Sequence, residues 1–331
     1  MDEKHIFLIG TEHQYYQVVK AISYFNLDNK DVYFLVEDLG VEKIFYNDLR
    51  DKNVGEVIIF RNWIFKDVIF NPEISNNFIS ICKNLASRLE SCNLYSSDYE
   101  SDYNLLANSI LKPKHIVLLD EGTSSFGTVI KRRNKRNKKF TLFIKSALYK
   151  KRIVLPSQIT YFTKYNLEIG LADNIKLYSD SKIDNSFREL NKDVVCFLGT
   201  PVIELGMMKK NVYFDVLKRI RLDYKDKQID YYPHRRESLD KLKELESLGG
   251  FNIIKNDQPF ESLFLSFDIM PYIIASTYIS SVLDNISSRY KSIPELVMYK
   301  FDDGVLLKER DTYRDIYNHF KINQSLTIKE V

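Results

Sequence analysis

The sequence predicts an α/β protein of two parallel-sheet halves, and three observations predict it. Short apolar, β-branched runs recur along the 331 residues with helical segments between them, the alternation that builds parallel sheets covered by helices. A polar stretch rich in Ser, Asp, Asn and Lys, from Ser179 to Lys192, separates the runs into two sets. The length suits two domains of ordinary size, and 22 Tyr and 21 Phe against 11 Gly and 8 Pro supply two cores rather than linkers.

In the first half, Ile6–Ile9 reads as the opening strand. A helix is expected from about His13 to Phe25, with Tyr16, Val19, Ile22 and Phe25 at three-residue intervals facing the sheet. Strands follow at Val32–Val36 and Val57–Phe60, then a helix over Phe78–Leu89 marked by Phe78, Ile81, Leu85 and Leu89, and a strand at Ile116–Leu119. In the second half, strands are expected at Val194–Leu198, Ile229–Tyr232, Phe251–Ile254, Tyr272–Ala275 and Leu296–Tyr299. The resulting division is 1–188 and 189–331, two Rossmann-like domains with no internal repeat or low-complexity tract.

Three of these strands run directly into residues that carry chemistry, and the carboxyl edge of an open α/β sheet is where ligands gather. Ile116–Leu119 leads into Asp120-Glu121-Gly122-Thr123; Ile229–Tyr232 leads into Pro233-His234-Arg235-Arg236-Glu237; Tyr272–Ala275 leads into Ser276-Thr277-Tyr278-Ile279-Ser280-Ser281. A carboxylate can take a proton from an attacking hydroxyl, an imidazole can hold a departing phosphate, and hydroxyls or helix N-terminal amides can cradle it. Each segment also has a plain structural reading. Acids and Gly end strands, Ser and Thr cap helices, and Arg236 and Glu237 can pair on a surface. His234 stands apart from His5, His115 and His319, which lie in or beside apolar patterns, because Pro233 fixes the backbone before it and a helix start is expected after it.

In that order the three segments resemble the bacterial sialyltransferases of the two-domain GT-B type, and glycosyltransferase family 52, the lipooligosaccharide sialyltransferases, in particular. Phe7-Leu8-Ile9-Gly10-Thr11-Glu12-His13-Gln14 is similar to that family's opening strand, and Phe197-Leu198-Gly199-Thr200-Pro201-Val202-Ile203-Glu204 to its Gly-x-Pro segment; Arg235 stands where the family usually has proline. The resemblance implies a GT-B fold with a cleft between an acceptor-side domain and a CMP-donor domain. It implies a metal-independent, inverting transfer of sialic acid from CMP-sialic acid to a terminal sugar of lipooligosaccharide or capsule, galactose being the expected acceptor. Asp120 is the first choice of base, with Glu121 and Glu204 as alternatives and His234 on the phosphate. Gly199, Pro201, Pro233, Arg235, Ser276, Thr277, Ser280 and Ser281 are expected on the donor, and Thr11, Gln14, Gly122 and Thr123 on the acceptor side. Ser280-Ser281 best matches the family's hydroxyl pair.

Transfer of pseudaminic or legionaminic acid fits the same motifs. A GT-B nucleotide-sugar epimerase and a basic-patch nucleic-acid-binding protein are the more distant alternatives, the latter disfavoured because no nucleic-acid-binding motif appears. Cys82, Cys92 and Cys196 are odd in number and lack metal-ligand spacing, so reduced, packed thiols are expected. The residues supply no evident metal cluster, and no cofactor beyond the CMP-activated sugar is expected. No run suits a signal peptide core or a membrane span, which places the expected location in the cytoplasm. The net charge of +3 is unevenly spread: twelve Lys and Arg and no acid lie between Thr123 and Leu167. The tract Lys131–Lys139 and the aromatic-rich segment up to Arg152 thus suit either a solvated loop or contact with anionic lipid at the inner face of the cytoplasmic membrane, where a lipid-linked glycan acceptor would lie. Homodimer formation is compatible with the sequence and unspecified by it.

Overall fold

The computed structural model describes all residues except 1–2, 39–47, 50–51, 62, 64, 134–137, 181, 184–188, 256–257, 259, 278–279 and 323–325. The expected 188/189 boundary, part of the basic tract, and Tyr278-Ile279 therefore touch or fall outside the described residues. The chain forms two compact units, Met1–Ser179 and Asp180–Val331.

Unit 1 contains strands β1 (Lys4–Ile9), β2 (Val32–Asp38), β3 (Glu56–Arg61), β4 (Cys92–Ser96), β5 (Ile116–Leu119), β6 (Thr160–Thr163) and β7 (Asn174–Leu177). Its helices are α1 (Glu12–Tyr24), α2 (Phe65–Phe70), α3 (Asn76–Arg88), α4 (Asp102–Leu111), α5 (Ser124–Arg133) and α6 (Lys138–Leu148). Unit 2 contains β8 (Leu190–Leu198), β9 (Gln228–Tyr232), β10 (Asn252–Ile253), β11 (Met270–Ser276), β12 (Glu295–Lys300) and β13 (Thr327–Glu330), with α7 (Lys210–Asp223), α8 (Leu239–Leu248), α9 (Phe260–Ser266), α10 (Ser281–Arg289) and α11 (Arg310–Ile322). No described helix is long and apolar enough to cross a membrane.

The sheet orders are β3-β2-β1-β4-β5-β6-β7 and β10-β9-β8-β11-β12-β13, and every described strand pairing is parallel. Both sheets therefore follow the doubly wound 3-2-1-4-5 order of a Rossmann-like domain, whose topological switch point lies between the first and fourth strands. In unit 1 that point is the exit of β1 and β4; in unit 2 it is the exit of β8 and β11. All the motifs lie at these carboxyl edges: Gly10-Thr11 after β1, Asp120 after β5, Gly199-Thr200 after β8, Pro233-His234 after β9 and Thr277 after β11.

The strands follow from their β-branched and aromatic runs, but several features differ from expectation. The α1 face turned to the sheet carries Tyr15, Val18 and Ala21, while Tyr16 and Val19 are 58% and 38% exposed. Ile22 and Phe25 pack only at the margin of this core, which includes Phe7, Phe34 and Phe162. Strands β6, β7 and β13 were not expected, and neither was the central strand β4. Its sequence, Cys92-Asn93-Leu94-Tyr95-Ser96, is polar at two positions, yet all five residues are buried. The helix anticipated at Arg235 begins at Leu239, with Ser238 as N-cap accepting from the Lys241 amide. The turn Asp302-Asp303-Gly304 is closed locally, the Gly304 amide donating to Asp302 at 2.7 Å. All three cysteines are buried and free.

Candidate active site

The candidate residues form two groups, one on each unit. On unit 1, Thr11 caps α1 through a reciprocal capping box with Gln14. The Gln14 carbonyl oxygen accepts from the Gly10 and Thr11 amides at 2.6 and 3.2 Å, which aims its amide group the other way. That group donates to Glu121 Oε1 at 2.5 Å. Gln14 thus reaches from the β1 exit, over β4, to the β5 exit and fixes the Glu121 carboxylate. Gly122 sits at φ +67°, a left-handed conformation that lets the chain turn sharply from β5 into α5. Thr123 is buried in that turn.

Asp120 has a different character. It is 1% exposed. One carboxylate oxygen accepts from the Gly122 amide at 2.8 Å and the Ser125 hydroxyl at 2.9 Å. The other accepts from the Thr163 hydroxyl at 3.1 Å, the Tyr178 hydroxyl at 3.2 Å and the Lys164 amide at 3.3 Å. Burial pushes its carboxyl above the usual range, and the hydrogen bonds from Ser125, Lys164 and Thr163 oppose that shift. Four donors, with the Tyr178 hydroxyl whose proton is shared with Gln17 Oε1 at 2.9 Å, make the buried Asp120 the clamp that joins the β5, β6 and β7 exits. The first-choice base of the sequence is thus enclosed, and Glu121, half-buried beside it, is the carboxylate presented at the surface.

On unit 2, a buried network underlies the motifs. Lys241 is 2% exposed. It pairs with Glu237, donates to the Thr200 carbonyl at 2.8 Å, and lies 4.3 Å from the centre of the Tyr213 ring. Although burial disfavours its charge, contact with Tyr213 and Glu237 holds the ammonium above its ordinary pKa. Glu237 also accepts from the Tyr231 hydroxyl at 2.7 Å and from the His234 amide at 2.8 Å. Gly199, expected on the donor, is covered by this group: a Cβ there would lie 2.2 Å from Glu237 Oε2 and 2.7 Å from the Tyr231 hydroxyl. Pro201 opens the turn beyond it, its carbonyl accepting from Leu205 at 2.9 Å.

The imidazole of His234 is exposed and oriented. Its Nδ1 accepts from the Arg236 amide at 3.1 Å, so the neutral ring carries its proton on Nε2, away from the turn. Surrounding protein, followed by the Arg235, Arg236 and Lys241 charges, pushes its pKa below 6.5, with Glu204 opposing. At neutral pH His234 is therefore an uncharged N–H donor flanked by two exposed guanidiniums. Pro233 precedes it without an amide hydrogen to compete.

The other predicted residues divide into structural and presented groups. Glu204 is a helix cap from a distant loop, one oxygen accepting from the Ser238 amide at 2.9 Å and hydroxyl at 3.2 Å. Ser276 and Thr277 are fully buried: Ser276 donates to the Leu198 carbonyl at 3.0 Å, and Thr277 Oγ1 lies 3.0 Å from Thr200 Oγ1. They lock β11 to β8. Ser280, also buried, is the N-cap of α10 and makes no side-chain capping bond, and Ser281 is the first residue of that helix. Sequence reasoning missed Lys241, which with Glu237 reads as an ordinary i,i+4 surface pair. Among the described residues, no group of three or more His, Cys, Asp or Glu is placed to hold a metal ion.

This architecture can be compared with known proteins. No family model matches the chain, and no curated protein matches it. Solved structures do. UDP-GlcNAc 2-epimerase from Methanocaldococcus jannaschii, in complex with UDP-GlcNAc and UDP, is 12% identical over 99% of this chain and 89% of its own, with a TM-score of 0.51. The chain has the GT-B fold. A second UDP-N-acetylglucosamine 2-epimerase is 12% identical over 100% of this chain and 84% of its own, at 0.51. A sialyltransferase from Photobacterium damsela is 12% identical over 99% and 81%, at 0.46. At such identities the likeness speaks to the fold alone.

Proposed function

We propose that the protein is an inverting, metal-independent glycosyltransferase that moves sialic acid or a related nonulosonic acid from its CMP-linked form to a sugar hydroxyl of a bacterial surface glycan. The observation that carries this reading is the Pro233–Glu237 turn: a neutral imidazole, locked in one tautomer by Arg236 and anchored by Glu237, with two guanidiniums beside it. That arrangement suits a nucleoside monophosphate leaving group. Such a group departs as a stable anion, needs hydrogen bonds and positive charge rather than a full proton, and has no second phosphate for a divalent ion to bridge.

In this reading Glu121 accepts the proton of the acceptor hydroxyl as its oxygen bonds to the anomeric carbon, while the bond from that carbon to the CMP phosphate breaks. Gln14 holds Glu121, and Asp120 positions the turn that carries it. His234 Nε2–H, Arg235 and the α10 N-terminus with Ser280 and Ser281 stabilise the departing phosphate. Ser276, Thr277, Glu204 and Lys241 hold these loops in place.

Incubation with CMP-sialic, CMP-pseudaminic and CMP-legionaminic acids and a panel of galactose-terminated acceptors is expected to release CMP and extend an acceptor. Isomerisation of UDP-GlcNAc without any acceptor, and no CMP release, would replace this reading with an epimerase. Activity is expected to persist in excess EDTA; a complete loss restored by Mg²⁺ would overturn the metal-free mechanism.

His234 gives a further check. In the free protein its imidazole proton resonance should titrate with a midpoint below pH 6.5, so the ring is neutral at pH 7. A bound CMP phosphate favours the imidazolium and should move that midpoint upward. His234→Ala should weaken CMP binding in calorimetry and slow transfer by about a hundredfold. A midpoint unmoved by saturating CMP would remove His234 from the phosphate site.

A further inference from the structure

Helix α6 turns an aromatic stripe outward. Phe140 and Phe143 are 73% and 70% exposed, exposed Ala147 continues the stripe at helical spacing, and exposed Lys150 lies in the turn just past the helix. The helix is held from its other side: Lys145 pairs with Asp102 at 2.6 Å, and the Ser146 hydroxyl accepts from the Ile153 amide at 2.9 Å. Just past its end, the Tyr149 hydroxyl donates to Asp102 at 2.7 Å. The exposed rings thus belong to a docked helix.

The charge around the stripe has one sign. Among the described cations between Thr123 and Leu167, Arg132 grips Asp173 in a bidentate pair at 2.6 and 2.7 Å, Arg133 pairs with Glu168 at 2.9 Å, Lys145 takes Asp102, and Lys164 lies over the Tyr165 ring. Lys131, Lys139, Lys150 and Arg152 are exposed and have no acidic partner among the described residues. Two aromatic side chains bordered by unpaired cations match a bilayer surface, where rings enter the headgroup boundary and cations meet lipid phosphates. A second copy would bring like charges together on this face.

We propose that α6 is a membrane-surface contact, with Phe140 and Phe143 entering an anionic bilayer and Lys139, Lys150 and Arg152 lying against its phosphates. The test is co-sedimentation of the full chain with phosphatidylglycerol-containing vesicles and with neutral phosphatidylcholine vesicles. Binding is expected to the anionic vesicles and to fall with added salt. The Lys139→Gln, Lys150→Gln, Arg152→Gln triple variant should lower the partition coefficient by roughly a hundredfold, at about fivefold per cation. Phe140→Ser with Phe143→Ser should lower it by at least about tenfold through lost apolar burial. Both variants should melt like the parent because the residues are exposed; Arg132 is left intact because it is buried on Asp173. No binding, equal binding to neutral vesicles, or binding unchanged in either variant would overturn the proposal. So would a concentration-dependent dimer abolished by the Phe replacements, which would assign the face to a second copy.

Discussion

Glu121→Gln is expected to slow transfer by roughly a hundredfold or more while leaving the melting temperature and CMP affinity unchanged. The substitution keeps the size and the hydrogen-bonding reach of the side chain at the β5 exit and removes only its capacity to accept a proton. Asp120→Asn should behave differently. Each Asp120 oxygen accepts a backbone N–H, from Gly122 on one side and from Lys164 on the other. Whichever way an asparagine is turned, its NH₂ group confronts a donor that cannot rotate away. That conflict should cost about 1–3 kcal/mol in thermal or urea unfolding, with activity lost through the displaced turn. If Glu121→Gln retained full turnover and Asp120→Asn lost it without any change in stability, the two roles would be exchanged.

Lys241→Met is expected to destabilise the protein by about 3–5 kcal/mol, because it strands the Glu237 carboxylate in the interior and leaves the Thr200 carbonyl without its donor. Adding Glu237→Gln should recover a large part of the loss, since it removes the second charge of the buried pair while keeping an acceptor for the Tyr231 hydroxyl or the His234 amide. A Lys241→Met protein that unfolds at the parent's denaturant midpoint would show that the pair carries no stability. The single variant also tests the site. Glu237 holds the His234 amide, so loss of its counter-ion should loosen the turn and weaken CMP binding beyond what His234→Ala alone predicts from the imidazole.

The strand exits were legible in the sequence because each follows a run of apolar, β-branched residues, and the chemistry-bearing residues sit directly after those runs. What was illegible depended on distant partners. Asp120 and Glu121 are adjacent acids, and only Thr163, Lys164 and Tyr178, arriving from β6 and beyond, decide which of them is enclosed. Ser276 and Ser280 look equivalent in a hydroxyl-rich run, yet one is fastened to β8 and the other stands at a helix start. The α1 face was misjudged by one position because Ala21 contributes little to a hydrophobic pattern while the exposed Tyr16 contributes much. Strand β4 was missed because Asn93 and Ser96 interrupt its apolar pattern although the strand is buried on both faces. The basic tract gave no hint that Arg132 is a core residue, since its partner Asp173 lies 41 residues away.

Under the proposed function, the carboxylate lying on Gly199 bears on which nucleotides unit 2 would hold. In dinucleotide-binding Rossmann domains the first turn is kept bare so that the backbone can approach a pyrophosphate. Here that space is taken by Glu237, and in unit 1 the matching space over Gly10 is taken by Glu37, whose Oε2 lies 2.5 Å from where a Cβ would stand. The Glu237 carboxylate, paired with Lys241, fills the loop that would otherwise grip a second phosphate. Under the proposed function the donor phosphate would therefore be left to the exits of β9 and β11, where one imidazole, its neighbouring guanidiniums and one helix start span a single phosphate. Selectivity between one phosphate and two would then rest on a steric plug rather than on the residues that touch the ligand.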